Sequence, residues 1–146
     1  MYDTDNLYLS IANMYWRFFV KDLYSEEEGT LGVTYTSEHK VEIDKSVSKD
    51  KLVILHEMIH VYEAILEETV DQHYHDIITI ALYNDLSKKI PDLENRIVAH
   101  SHTITNNEVM LIGGRQGILF FLKSLDLDIR LNLKLGSIMG YGRDNY

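Results

Sequence analysis

The chain has 146 residues, of which 45% are hydrophobic, and a formal net charge of −9. This length and apolar content suffice for one hydrophobic core, so we expect a single domain over residues 1–146. The sequence contains no cysteine, which excludes disulfides and thiolate ligands and leaves His, Asp and Glu to hold any metal ion. The acidic balance argues against a broad electrostatic interaction with nucleic acid, which requires clustered Lys and Arg.

The sequence also bears on localisation. Residues 1–5 do not lead from a basic segment into an apolar one, as a secretory signal does. No apolar run approaches the roughly 18 residues that a membrane-spanning helix needs. We therefore expect a cytoplasmic, monomeric protein with no membrane partner.

In the N-terminal part of the chain, the spacing of apolar residues changes once, from helical spacing to alternation. Residues 5–23 carry apolar side chains at helical spacing, which predicts an amphipathic helix. Residues 31–35 and 41–43 instead alternate between large apolar and other side chains, which predicts two short antiparallel strands. The pattern thus places a small sheet before the helix that follows.

A long apolar run, residues 51–66, predicts a helix that is buried on nearly every side. Ser48 or Asp50 supplies its N-cap. The run contains His56 and His60, and burying two polar rings costs desolvation free energy unless something binds them. A divalent metal would bind them and favour their neutral form.

The sequence HEMIH at residues 56–60 is the HExxH pattern of zinc-dependent hydrolases. Two histidines four residues apart project from one face of a helix, close enough for both rings to bind one metal ion. Glu57 lies about 100° around the helix, from where it can reach a metal-bound water as general base without binding the metal. The pattern therefore predicts His56 and His60 as metal ligands and Glu57 as the catalytic residue.

The rest of the chain is predicted to be mainly helical. A second amphipathic helix is expected over residues 74–89, and residues 93–99 fit either a short helix or a strand. Residues 118–125 predict a further helix. Leucine and isoleucine then alternate with polar residues over 127–135, which predicts a half-buried strand, and the glycine-rich residues 136–146 are expected to be loop or tail.

A catalytic zinc ion has three protein ligands and an open fourth position, so a third ligand is needed. Glu63 follows His56 by seven residues and lies a turn beyond the pair, so we expect it to orient His60 or to be solvated. His73 and His75 are the better candidates because they fall where the next helix begins. A ligand in a first helical turn, packed across from the first helix, would complete a tetrahedral site.

The sequence LHEMIHVY at residues 55–62, followed after a polar loop by Tyr74-His75-Asp76, resembles the SprT-like zinc metallopeptidases, the family that contains Spartan. The resemblance covers about residues 31–108, whereas residues 113–146 match nothing in the family core and form a C-terminal extension. It implies an α+β fold, a small zincin-like domain in which a short antiparallel sheet packs on the active-site helix and further helices.

The resemblance also implies the third zinc ligand. The family has a histidine about fifteen residues after the second signature histidine, and His75 matches that position here. A glycine usually follows that histidine, but Asp76 stands in its place, which leaves His73 as the alternative ligand.

Two further properties of the family extend to other parts of the chain. Residues 98–103 are similar to a histidine-containing strand of the family, and we expect His100 and His102 to be structural or surface residues. The family cleaves proteins attached to DNA, which implies nucleic acid as a partner. The chain lacks the family's cysteine-rich ribbon and is acidic, and both features argue against that partner.

We therefore expect a zinc-dependent endopeptidase that cleaves a protein or peptide substrate, with Zn2+ held by His56, His60 and His75. The strand at residues 40–44, beside the active-site helix, would pair with the extended substrate. Two alternatives stay open. The chain could be a catalytically silent zinc-binding interaction module, or a latent protease whose C-terminal segment covers the cleft.

Overall fold

The computed structural model describes residues 7–11, 14–26, 29–106 and 115–140. These residues form an α+β fold with a four-stranded sheet and five α-helices. The chain divides into two compact units, Met1–Ile65 and Leu66–Tyr146, and the division falls within one long helix. No helix in the described part of the chain combines the length and the apolar character that crossing a membrane requires.

The sheet belongs to the first unit and has the strand order β1-β2-β4-β3. The strands β1 and β2 pair antiparallel, as do β3 and β4, whereas β2 and β4 run parallel. The two strands predicted at residues 31–35 and 41–43 are confirmed as β3 and β4, but the sheet is mixed and not wholly antiparallel. The strands are β1 at Leu7–Ile11, β2 at Met14–Lys21, β3 at Gly32–Tyr35 and β4 at Lys40–Asp44.

The helix predicted over residues 5–23 is wrong, because the described part of this segment forms β1, β2 and the start of a short helix, α1 (Leu23–Glu26). Aromatic and β-branched residues are frequent here, and such residues favour strands. Trp16 is fully buried while its neighbour Tyr15 is 68% exposed, which is the alternation of a strand. The parallel partner of β2 lies about twenty residues further along the chain, where local spacing carries no information about it.

Asp44 fixes the end of β4. Its carboxylate accepts hydrogen bonds from the backbone N–H of Tyr24 at 2.9 Å and of Ser46 at 3.0 Å, and from the hydroxyl of Ser46. These bonds, chiefly those from the Ser46 side chain and the Tyr24 backbone, lower the pKa of Asp44 from 3.8 to about 2. The carboxylate thereby joins α1, the end of β4 and a 3-10 turn at Lys45–Val47.

The helix predicted over residues 51–66 is confirmed as α2, which spans Lys51–Thr69. Asp50 acts as its N-cap, because its carboxylate accepts the backbone N–H of Leu52 at 2.9 Å. Residues 52–66 are all buried or partly buried, in agreement with the apolar run. The buried positions of α2 are Val53, Glu57, Ile59, Val61, Glu63 and Ala64.

Three helices build the second unit. They are α3 (Gln72–Ser87), α4 (Leu93–Asn106) and α5 (Arg115–Arg130), and both α3 and α4 pack on α5. The helices predicted at residues 74–89 and 118–125 are confirmed as α3 and α5, and the segment at 93–99 is helical. The hydroxyl of Tyr83 on α3 donates to Glu94 on α4 at 3.0 Å, which links these two helices as well.

The strand predicted over residues 127–135 is wrong, because α5 continues to Arg130 and turns follow it. Two polar residues of this pattern, Asp126 and Asp128, are buried, whereas Arg130, Asn132 and Lys134 are exposed. Asp126 is 2% exposed and pairs with Arg130 at 3.0 Å, so its charge is compensated within the helix. A pattern in which apolar and polar residues alternate predicts a half-buried strand only if the polar residues face solvent.

Asp128 is also fully buried and connects α5 to the segment that follows. Its carboxylate accepts the backbone N–H of Gly136 at 2.8 Å and of Ile138 at 3.2 Å. Burial raises the pKa of Asp128 even though these bonds oppose the increase. Residues 136–140 were predicted to be loop or tail, and they form a turn that includes the buried Ile138. Residues 141–146 lie outside the described residues.

We predict that Asp44→Asn destabilises the protein near neutral pH and that this loss shrinks as the pH falls from about 4 to about 2. The pKa of Asp44 in the folded protein, about 2, lies below its ordinary value of 3.8. The stabilisation by its carboxylate is therefore complete above about pH 4 and is lost as the pH falls through the folded pKa. Urea unfolding, followed by the fluorescence of the buried Trp16, measures this difference at each pH.

Asp85→Asn is the matched control, because it removes a half-exposed carboxylate that pairs with Lys89 at the surface. Such pairs contribute about 0–1 kcal/mol to stability. If both variants lost the same stability with the same pH dependence, the role assigned to Asp44 would be wrong.

Candidate metal centre

The structure brings the HExxH residues together on α2. His56, Glu57 and His60 each offer one ligand atom, and these three atoms lie within 4.8 Å of one another. The two rings face each other edge to face, with centroids 5.4 Å apart and planes at 68°. Both histidines are partly exposed, whereas Glu57 is 2% exposed. The arrangement leaves the rings accessible to an ion and keeps the carboxylate beside them largely out of solvent.

Glu57 contacts strand β3. The hydroxyl of Thr34 donates to Oε1 of Glu57 at 2.9 Å and lies 3.4 Å from the backbone carbonyl oxygen of the same residue. Gly32, two residues earlier on β3, lies so close that an added β carbon would be 2.9 Å from Cγ of Glu57. Sequence analysis did not identify either residue as functional. The only local signal is a glycine within a strand, which often marks close approach of another group.

Glu63 contacts His60 on the same helix. It is buried, and its Oε1 lies 3.7 Å from Nδ1 of His60. A carboxylate at this ring nitrogen can orient the imidazole and leave Nε2 to bind a metal. The expectation that Glu63 orients His60 stays a prediction.

His75 and His73 both lie in the first turn of α3, where Asp71 caps the helix by accepting the backbone N–H of Tyr74 at 3.1 Å. The two histidines differ in their surroundings. His75 is 4% exposed and neither of its ring nitrogens has a hydrogen-bond partner among the described residues, whereas His73 is exposed. A buried polar atom without a partner costs about 1–3 kcal/mol, so His75 has the greater need of a ligand.

The donors fit zinc. Imidazole nitrogens together with carboxylates are the usual ligands of catalytic zinc ions, and the chain offers no thiolate. His56 and His60 offer two imidazole nitrogens beside the Glu57 carboxylate, which are donor types that zinc accepts. The role of His75 as third ligand stays a prediction, with its buried nitrogens in its favour.

His100 lies on α4, so residues 98–103 do not form the strand that the family resemblance implies. The histidine is buried, its ring stacks on Phe121 with centroids 4.5 Å apart, and its Nε2 donates to the carbonyl oxygen of Gly117 at 3.2 Å. Burial lowers the pKa of His100 and so favours the neutral ring. These contacts join α4 to α5 and agree with a structural role. The side chain of His102 lies outside the described residues.

The strand predicted to pair with substrate, residues 40–44, cannot accept another strand. It is β4, which lies between β2 and β3 and is paired on both sides. Within the described residues β3 pairs only with β4 and forms the edge of the sheet. This edge strand contacts the HExxH helix through the hydrogen bond from Thr34 to Glu57, and among the described strands its second side has no partner.

Comparisons with models of known protein families, with curated proteins and with solved structures found no match to this chain. The observations on this chain that bear on a metal site are the geometry of His56, Glu57 and His60 and the burial of His75.

Proposed function

We propose that the protein is a zinc-dependent endopeptidase with a zincin-like domain. His56, His60 and His75 hold the metal, and Glu57 is the general base. The observation that supports this most is the group on α2, in which two imidazoles and a carboxylate offer ligand atoms within 4.8 Å of one another. The hydrogen bond from Thr34 to Glu57 adds to it, because a base must be held in place to act.

Each residue of the group has a distinct task. When bound, zinc supplies Lewis-acid polarisation of a water molecule and of the scissile carbonyl. His56 and His60 contribute neutral nitrogen donors, and Glu63 keeps the ring of His60 oriented. Glu57 accepts a proton from the attacking water and delivers it to the leaving amine.

The substrate is an extended protein or peptide segment that pairs with the edge of β3. Pairing of a peptide with a sheet edge uses main-chain hydrogen bonds, so it tolerates many sequences. The position of β3 supports this assignment, because the same strand contacts Glu57 through Thr34. A peptide on this edge would lie on the strand that contacts the base.

We predict that the purified protein contains about one zinc ion per chain and that Glu57→Gln keeps the metal while lowering peptide cleavage by at least about 100-fold. The substitution removes the proton acceptor but none of the imidazole donors. Elemental analysis gives the zinc content, and mass spectrometry of a digested peptide library gives the cleavage rate. Glu67→Gln, an exposed position on the same helix, is the control.

The zinc content and the cleavage rate together distinguish an active zinc endopeptidase from the alternatives. A protein that contains no zinc would show that the proposed metal centre does not exist. A protein that binds zinc, and whose Glu57→Gln variant behaves as wild type in every cleavage assay, would be either an interaction module in which zinc has a structural role or a latent protease.

We also predict that His75→Leu lowers zinc affinity by more than about 100-fold, which exceeds the 10- to 100-fold effect expected of Glu63→Gln. In the absence of metal, His75→Leu should stabilise the protein by roughly 1–3 kcal/mol, because it removes two buried nitrogens that lack partners. Competition with a chelator measures the affinity, and chemical unfolding measures the stability.

His73→Ala is the control for this experiment and should leave zinc affinity unchanged, because His73 is exposed. If His73→Ala lowered the affinity and His75→Leu did not, the third ligand would be His73. If metal-free His75→Leu were less stable than wild type, the side chain of His75 would contribute to packing. Its unpaired ring nitrogens would then not be a net cost to stability.

A further inference from the structure

Two residues of β3 enclose the carboxylate of Glu57. Thr34 donates its hydroxyl to Oε1 at 2.9 Å. At Gly32, an added β carbon would lie 2.9 Å from Cγ, 3.0 Å from Cδ and 3.1 Å from Oε2 of Glu57. Contacts this short are not tolerated between carbon atoms, so any side chain at Gly32 would displace Glu57 or the strand.

The spacing of these two residues explains why both reach Glu57. Side chains two positions apart in a strand point to the same face of the sheet. Val33 and Tyr35 point to the other face, where the Nζ of Lys40 lies 4.6 Å from the centre of the Tyr35 ring. One face of this short strand is thus occupied by a glycine and a hydroxyl, and both lie against the side chain of Glu57.

We propose that Gly32 and Thr34 are positioning residues for the general base. Thr34 fixes the rotation of the Glu57 carboxylate, and the missing side chain at Gly32 lets β3 come close enough for that hydrogen bond to form. This inference rests on the proposed function. According to this inference, β3 affects the rate of the reaction without affecting metal binding.

A glutamate needs such an anchor more than other bases do. Its terminal torsion has a broad energy profile with no sharp minimum, so packing alone does not fix the direction of its oxygens. A reacting group displaced by about 1 Å can lose roughly 100-fold in rate. Thr34 donates to the carboxylate and not to His56 or His60, so loss of this bond should spare the metal.

The kinetic test compares zinc-loaded Thr34→Val and Gly32→Ala with wild type. Both variants should keep one zinc ion per chain and lower kcat by about 10- to 100-fold, and Thr34→Val should keep KM within about 2-fold of wild type. Thr34→Ser retains the hydroxyl and should stay within about 3-fold of the wild-type kcat. Thr36→Val makes the same exchange at an exposed residue that follows β3 and should have no effect.

A structural readout does not depend on activity. Crystal structures of wild type, Thr34→Val and Gly32→Ala should show the Glu57 carboxylate displaced or rotated in both variants and in place in Thr36→Val. If Gly32→Ala fails to fold, the Thr34→Val and Thr34→Ser pair carries the test, because one removes the hydroxyl and the other keeps it.

The outcomes separate this proposal from the proposed function. If wild type cleaves peptides, Glu57→Gln does not, and Thr34→Val has the wild-type kcat, the positioning role is wrong and the endopeptidase stands. The same holds if Glu57 keeps its position in the Thr34→Val crystal structure. If wild type cleaves nothing, the protein is not an active endopeptidase in the assay, and the crystal structures alone decide whether Thr34 and Gly32 hold Glu57.

Discussion

The first unit depends on the burial of one carboxylate. Glu57 is 2% exposed within an otherwise largely apolar helix, and a buried carboxylate must have polar partners because its desolvation is costly. Thr34 provides one such partner, which requires β3 to lie directly against α2 and requires a residue without a side chain at Gly32. The side chain of Glu57 thus links the edge of the sheet, the HExxH helix and the small residues on β3.

Local signals in the sequence predicted the elements that carry the site. The apolar run, the cap at Asp50 and the alternation of β3 and β4 each describe a neighbourhood of a few residues, and the structure agrees with all of them. The N-terminal strands were missed because β2 is stabilised by pairing with β4, which its own residues do not reveal. The end of α5 was missed because Asp126 and Asp128 are buried with partners, although alternating aspartates normally indicate a solvated face.

The residues of the candidate site also differ in whether the sequence could predict them. His56, Glu57 and His60 could be predicted because their spacing within one helix fixes their geometry, whatever the rest of the fold. Thr34 and Gly32 could not, because Thr34 is 23 residues from Glu57 and only the packing of a strand on a helix brings them together. His75 is intermediate: its position at the start of α3 followed from the sequence, but its burial without hydrogen-bond partners did not.

The edge strand also carries a risk of aggregation. An edge strand can pair with the same strand of another molecule, and proteins limit this by keeping edge strands short. β3 has four residues, one of them a glycine, which weakens its pairing with any partner. A β-branched residue at Gly32 would therefore harm the protein twice. It would collide with Glu57, and it would make the edge of the sheet a better template for self-association. Both effects disfavour the same substitution.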